Sequence, residues 1–161
     1  MPEPDFSPVR SRPGWSRADA GGDGDALEEL AKTLNDTRPA DTYFVCGLLP
    51  DDTQLHLYRI ETRDPLDIIK ACEVGTQAAL SYGKDAHPTV LKEMALVHAR
   101  NPIVPFFADL AGFKCTFEQP VSEEFAEFLD SVITEGSEAY ADEGYIAPVV
   151  MRTKFLQLWW D

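Results

Sequence analysis

Long apolar runs, closely spaced cysteines and glycine-rich phosphate loops are all missing from this 161-residue chain. No uninterrupted apolar stretch approaches the roughly 20 residues that a membrane-spanning helix needs. The three cysteines, Cys46, Cys72 and Cys115, lie far apart, and no pair has metal-clip or redox-motif spacing. An odd, scattered set of this kind reads as reduced, buried thiols in an intracellular setting. Basic residues are scarce: Lys and Arg total 14 against 28 Asp and Glu, for a formal net charge of −14. Phosphate backbones and anionic membrane surfaces repel such a chain, which argues against direct nucleic-acid binding and against a membrane partner.

Chemical motifs are equally thin. There is no Walker pattern and no nucleophile elbow, and the three histidines, His56, His87 and His98, are unpaired at ligand spacing. GGDGD at 21–25 has the glycines and carboxylates of a calcium loop but lacks its spacing and terminal glutamate, so it reads as a hinge. A Cys–His nucleophile would need Cys72 or Cys115 beside His56 or His98, and three cysteines in apolar contexts are more simply core. No catalytic, cofactor-binding or metal-binding residue is assigned, and an enzyme is not the expectation. The first residues, MPEPDFSPVR, do not form a signal peptide, and FLQLWWD is no prenylation box. The expected location is the cytoplasm of a cell or of an infected host, with a virion as the alternative.

What is present suits one ordinary domain, with 44% hydrophobic and 26% charged residues. Residues 1–24 stand apart as a Pro/Gly-rich arm with isolated anchors Phe6, Val9 and Trp15. By composition the arm cannot offset its own ordering cost, so it is expected to be extended and to order only against its body or a neighbouring chain. Residues 25–161 read as a single α+β domain. Asp25 is placed as the N-cap of a helix over ALEELAKTLND. TYFVCGLL and TQLHLYRIE flank a Pro-Asp-Asp turn as a hairpin. Asp64-Pro65 opens one long helix that runs to Gly83, and His87-Pro88 opens another that Asn101-Pro102 closes. IVPFFADLAGFKCTFE is a second hairpin, because Phe113, Cys115 and Phe117 alternate with Lys114, Thr116 and Glu118. Ser122 caps an amphipathic helix with the stripe Val121, Phe125, Phe128, Leu129, Val132 and Ile133, ended by Gly136. YIAPVVMRTKFLQLWW is assigned to one or two strands, the first held to an edge or bulge by Pro148. The sum is a mainly antiparallel sheet of two hairpins and a C-terminal strand, with about four helices.

Charge distribution is the first unusual feature. No basic residue falls between Lys114 and Arg152, while Glu118, Glu123, Glu124, Glu127, Asp130, Glu135, Glu138, Asp142 and Glu143 do. Glu123, Glu124, Glu127 and Asp130 point away from the phenylalanine stripe. A solvated helix face is the plainer reading; docking of a basic partner is the functional one. The second feature is the pair Trp159 and Trp160, which cannot share one sheet face. Either the strand is covered on both sides or one indole meets a partner.

These features together lead to a non-enzymatic protein-interaction subunit: a component, adaptor or chaperone of a larger assembly, with a viral or phage structural part included. Its expected contacts are Phe6, Trp15, Glu123, Glu124, Glu127, Asp130, Trp159 and Trp160, its expected partner a protein with a basic surface, and its expected state an oligomer or hetero-complex. The alternative is an acidic inhibitor or nucleic-acid mimic that blocks a basic site on its target.

Overall fold

Near-continuous apolar runs in the central strands dictate a sheet covered on both faces in this computed structural model, which describes residues 3–18 and 22–161. Its strands are β1 (Phe6–Pro8), β2 (Trp15–Ala18), β3 (Thr42–Gly47), β4 (His56–Glu61), β5 (Ile103–Ala108), β6 (Gly112–Phe117) and β7 (Leu156–Trp159). They form one sheet in the order β1-β2-β4-β3-β5-β6-β7, antiparallel at every step except β3–β5. Every residue of β3 is buried. Tyr43 and Val45 point into the larger core, and Phe44 and Cys46 into the smaller one.

Helix α1 (Gly24–Asn35) covers the smaller face with Leu27 and Ala31. The larger face is covered by α2 (Leu66–Ala71), α3 (Gln77–Tyr82), α4 (His87–Arg100), α5 (Glu123–Val132) and α6 (Ile146–Thr153). A single α+β domain with a mostly antiparallel sheet is therefore the architecture, with both hairpins and the last strand where their patterns put them. No helix among the described residues is long and apolar enough to cross a membrane.

Several expectations are corrected. The single helix over 66–82 is two short ones, because Glu73 and Gly75 adopt positive φ (51° and 94°) between them. Residues 146–153 are helical rather than extended: Pro148 sits in the first turn, where no intrahelical amide donor is needed, and Asp130 accepts from the amides of Ile146 (2.7 Å) and Ala147 (2.9 Å). Six α-helices thus replace about four. Asp23, not Asp25, caps α1, accepting from Ala26 N at 2.8 Å. Ser122 caps α5 as its sequence implies, at 3.0 Å from Phe125 N, but the helix ends at Ile133 before reaching Gly136.

The N-terminal arm is seated on its own body. Residues 6–8 and 15–18 pair as a hairpin, and β2 lies along β4 with Trp15 opposite Ile60. Residues 1, 2 and 19–21 of the arm lie outside the described residues.

β3 and β5 pair only at Cys46–Phe107 and Gly47–Ala108. Nearer their starts the two strands separate, and the Asn35 side chain fills the gap. Its amide nitrogen donates to Phe44 O (2.8 Å) and Pro105 O (3.1 Å), while its oxygen accepts from Phe44 N at 2.8 Å. Proline at 105 brings no ladder donor of its own, so a side chain completes the ladder there.

Candidate functional site

The parallel neighbours β3 and β5 continue in opposite directions, β3 toward β4 and β5 toward β6. A crevice therefore opens beyond their carboxyl ends, the place where open sheets most readily hold ligands. Next to the carboxyl end of β5, between α1 and β7, lies a cleft of about 590 Å³ lined by Gly24, Asp25, Glu28, Leu55, Phe107, Asp109, Lys114, Ala139, Gln157 and Trp159.

Each wall has a local cause. Register shifts between Pro105 and Phe107, and Phe106 and Phe107 consequently both join the core under α1. An extra residue in a strand re-aims its side chains, and here it supplies the aromatic floor. Asp109 opens the tight turn into β6: its amide donates to Gly112 O at 3.0 Å and its carboxylate accepts from Ala111 N at 2.8 Å. Gly112 lies opposite Trp159, and a Cβ there would come within 2.7 Å of the indole, so only glycine lets that ring lie flat against β6. The free edge of β7 is closed by Gly136 O, which accepts from Trp159 N (2.9 Å), and by Tyr140 Oη, which accepts from Gln157 N (2.7 Å). That edge is unavailable for strand addition.

Charge in the cleft is lopsided. Lys114 donates to Glu28 at 2.7 Å and its ammonium lies 5.3 Å from the Phe107 ring centre. Both partners are well covered, with side chains 20% and 14% exposed. Among the described residues no lysine or arginine is bonded to Asp25 or Asp109, which complete the acidic part of the lining. Burial pushes the Asp109 carboxyl above its ordinary range, opposed by the amides of Ala111 and Gly112 and by Lys114, and assisted by Glu28. The Cys46 thiol, whose sulfur faces Gly24 O, is pushed up to about 12 by burial first and then by Glu28 and Asp109. The carboxylates outweigh Lys114 at that point. Among the described residues no three His, Cys, Asp or Glu side chains converge closely enough to hold a metal ion.

The residues singled out by sequence fall into separate places. Trp159 lines the cleft. Trp160 is buried on the opposite face of the sheet, its indole N–H donating to Glu135 at 3.4 Å. Trp15 is also core, edge-on to Tyr58 with ring centres 5.3 Å apart, and Phe6 lies 6.0 Å from Phe44. Trp15 and Trp160 are therefore packing residues rather than contact surface. Glu123, Glu124 and Glu127 are exposed on α5, with Arg100 3.9 Å from Glu124. Asp130 leaves that set, because its carboxylate caps α6. The α5 face and the cleft lie on opposite faces of the sheet.

The histidines and cysteines do not combine. His98 Nδ1 accepts from Ile103 N at 3.1 Å, His87 Nδ1 lies 2.7 Å from Val74 O, and His56 packs edge-on against Tyr58. All three cysteines are free and buried, and burial raises each thiol, Cys72 to about 12. Glu28, Leu55, Phe107, Asp109 and Lys114 escaped sequence reasoning. One signal was available for Lys114: it is the single charge set among Phe113, Cys115 and Phe117 in an apolar strand.

No protein-family model matches the chain, and neither curated proteins nor solved structures yield a match.

Proposed function

We propose that this chain is a non-enzymatic protein-interaction subunit that docks a basic segment of a partner protein at the cleft between α1 and β7. The observation that carries this reading is the lining itself: aromatic and aliphatic surface from Phe107, Trp159 and Leu55, flanked by three carboxylates and one ammonium. Apolar surface provides affinity on burial, and the excess of carboxylates selects the sign of the partner. The three thiols are buried, and His87 and His98 are engaged with backbone groups while His56 packs on Tyr58, so none of the described cysteines is paired with an imidazole.

Affinity capture with the tagged chain, washed at 50 mM and at 1 M salt, tests the reading. At 1 M the screening length falls to about 3 Å, so rim charge is silenced while apolar contact persists. A stoichiometric partner with a basic segment, weakened by salt and lost when Asp25 and Asp109 are both changed to Asn, is expected. A partner retained undiminished by that double variant would overturn the cleft as its seat.

A further inference from the structure

We propose that the cleft is a socket for one arginine side chain of the partner, its guanidinium held between the carboxylates of Asp25 and Asp109 over the rings of Phe107 and Trp159. This rests on the docking reading above and makes it specific.

Three features of the cleft support it. First, a cation is already accommodated there in this chemistry: the Lys114 ammonium lies 5.3 Å from the Phe107 centre and 2.7 Å from Glu28. Cations are attracted to ring faces, the more so where water is partly excluded. Second, Lys114 is hydrogen-bonded to Glu28 and reaches Asp109 only through space, and among the described residues no side-chain cation is bonded to the other two carboxylates of the lining. Asp109 is the more telling, because it is half-buried and its hydrogen bonds come from backbone amides, with Lys114 acting on it only through space. Its ionised form gains when a second cation enters. Third, the walls include two aromatic rings, Phe107 and Trp159, beside Asp25 and Asp109. A planar guanidinium with five donors can stack on a ring while reaching separate carboxylates, whereas a lysine ammonium is a compact, strongly hydrated point.

The test titrates the full chain with three blocked tripeptides, Ac-Gly-Xaa-Gly-NH2, where Xaa is arginine, lysine or citrulline. Citrulline keeps the shape of arginine and removes its charge. The readout is the indole N–H resonance of Trp159, assigned by its disappearance in Trp159→Phe. The arginine peptide is expected to shift it saturably, the lysine peptide at least threefold more weakly, and the citrulline peptide not at all. Asp109→Asn and, separately, the exposed Asp25→Asn should each weaken the arginine peptide about tenfold while the other indole resonances stay in place. Equal shifts from citrulline, or undiminished binding by both variants, would overturn the socket; equal binding of lysine would overturn the choice of arginine. Failure here with a partner still captured leaves docking intact elsewhere on the chain. Arginine binding without any captured partner instead removes the docking reading and keeps the socket.

Discussion

Glu28 and Lys114 are 86 residues apart in the chain and meet at 2.7 Å in the cleft wall, tying α1 to β6. Neither belongs to a recognisable motif. Their contact depends on α1 lying across the sheet and on Lys114 facing α1 while Phe113 and Cys115 face the larger core. The pair holds the cleft's shape and leaves Asp25 and Asp109 as the carboxylates open to a visitor.

Lys114→Met should therefore cost more than a surface charge would. It leaves the covered Glu28 carboxylate without its partner, a loss of about 1.5–3 kcal/mol. Adding Glu28→Gln should recover most of that, since removing both members of a covered pair is far milder than removing one. Urea unfolding of the two single variants and the double variant measures the coupling.

Asp109→Asn should separate binding from stability. The folded carboxyl titrates above its ordinary value of 3.8. Between those two values the folded chain keeps a proton that the unfolded chain has released, so this group's contribution to stability falls as pH rises through the window. Relative to the wild type, the Asn variant should gain stability as pH rises through that window, and at neutral pH it should be no less stable. Urea midpoints of both proteins from pH 4 to 7 check the sign.

Asn35→Ala should destabilise the fold by about 2–4 kcal/mol, because the amide of Phe44 and the carbonyls of Phe44 and Pro105 lose their partner where β3 and β5 part. Asn35→Asp keeps the acceptor for Phe44 N but sets a carboxylate oxygen against the carbonyls of Phe44 and Pro105, so at neutral pH it should be no more stable than the alanine variant. Thermal unfolding of the three proteins ranks them.

Thiol chemistry supplies a further check. With Cys46, Cys72 and Cys115 all buried and their thiols raised, iodoacetamide at pH 8 should label none of them in the folded chain within an hour. All three should label within minutes in urea. One cysteine reacting rapidly in the native protein, read by mass spectrometry, would revive a thiol enzyme.

Local pattern carried much of this architecture. The hairpins around 50 and 110, the Ser122 cap and the Gly83 stop all depend on neighbours in sequence, so they could be read there. What escaped depends on contacts at long range. Residues 146–153 are rich in β-branched side chains, yet Asp130, 16 residues earlier, supplies the cap that lets a helix start. The arm has too little apolar area to order alone, and it orders because Trp15 finds Tyr58 and Ile60 on β4. The cleft was hidden for the same reason. Asp25, Glu28, Asp109 and Lys114 are ordinary charges until the switch in strand direction at β3 and β5 gathers them. Two local signals were present, the adjacent Trp159 and Trp160 that must face opposite ways and the lone charge of Lys114 in an apolar strand, but neither reveals a cleft by itself.

Site-directed photocross-linking tests the central claim most directly. A benzophenone amino acid at Leu55, on the cleft rim, is compared with one at Glu124, on the far face of the sheet. The account predicts that position 55 alone gives a single partner adduct, mapped within a few residues of an arginine, and that Asp109→Asn abolishes it. Adducts from position 124 with none from position 55 would contradict it and move the docking surface to α5.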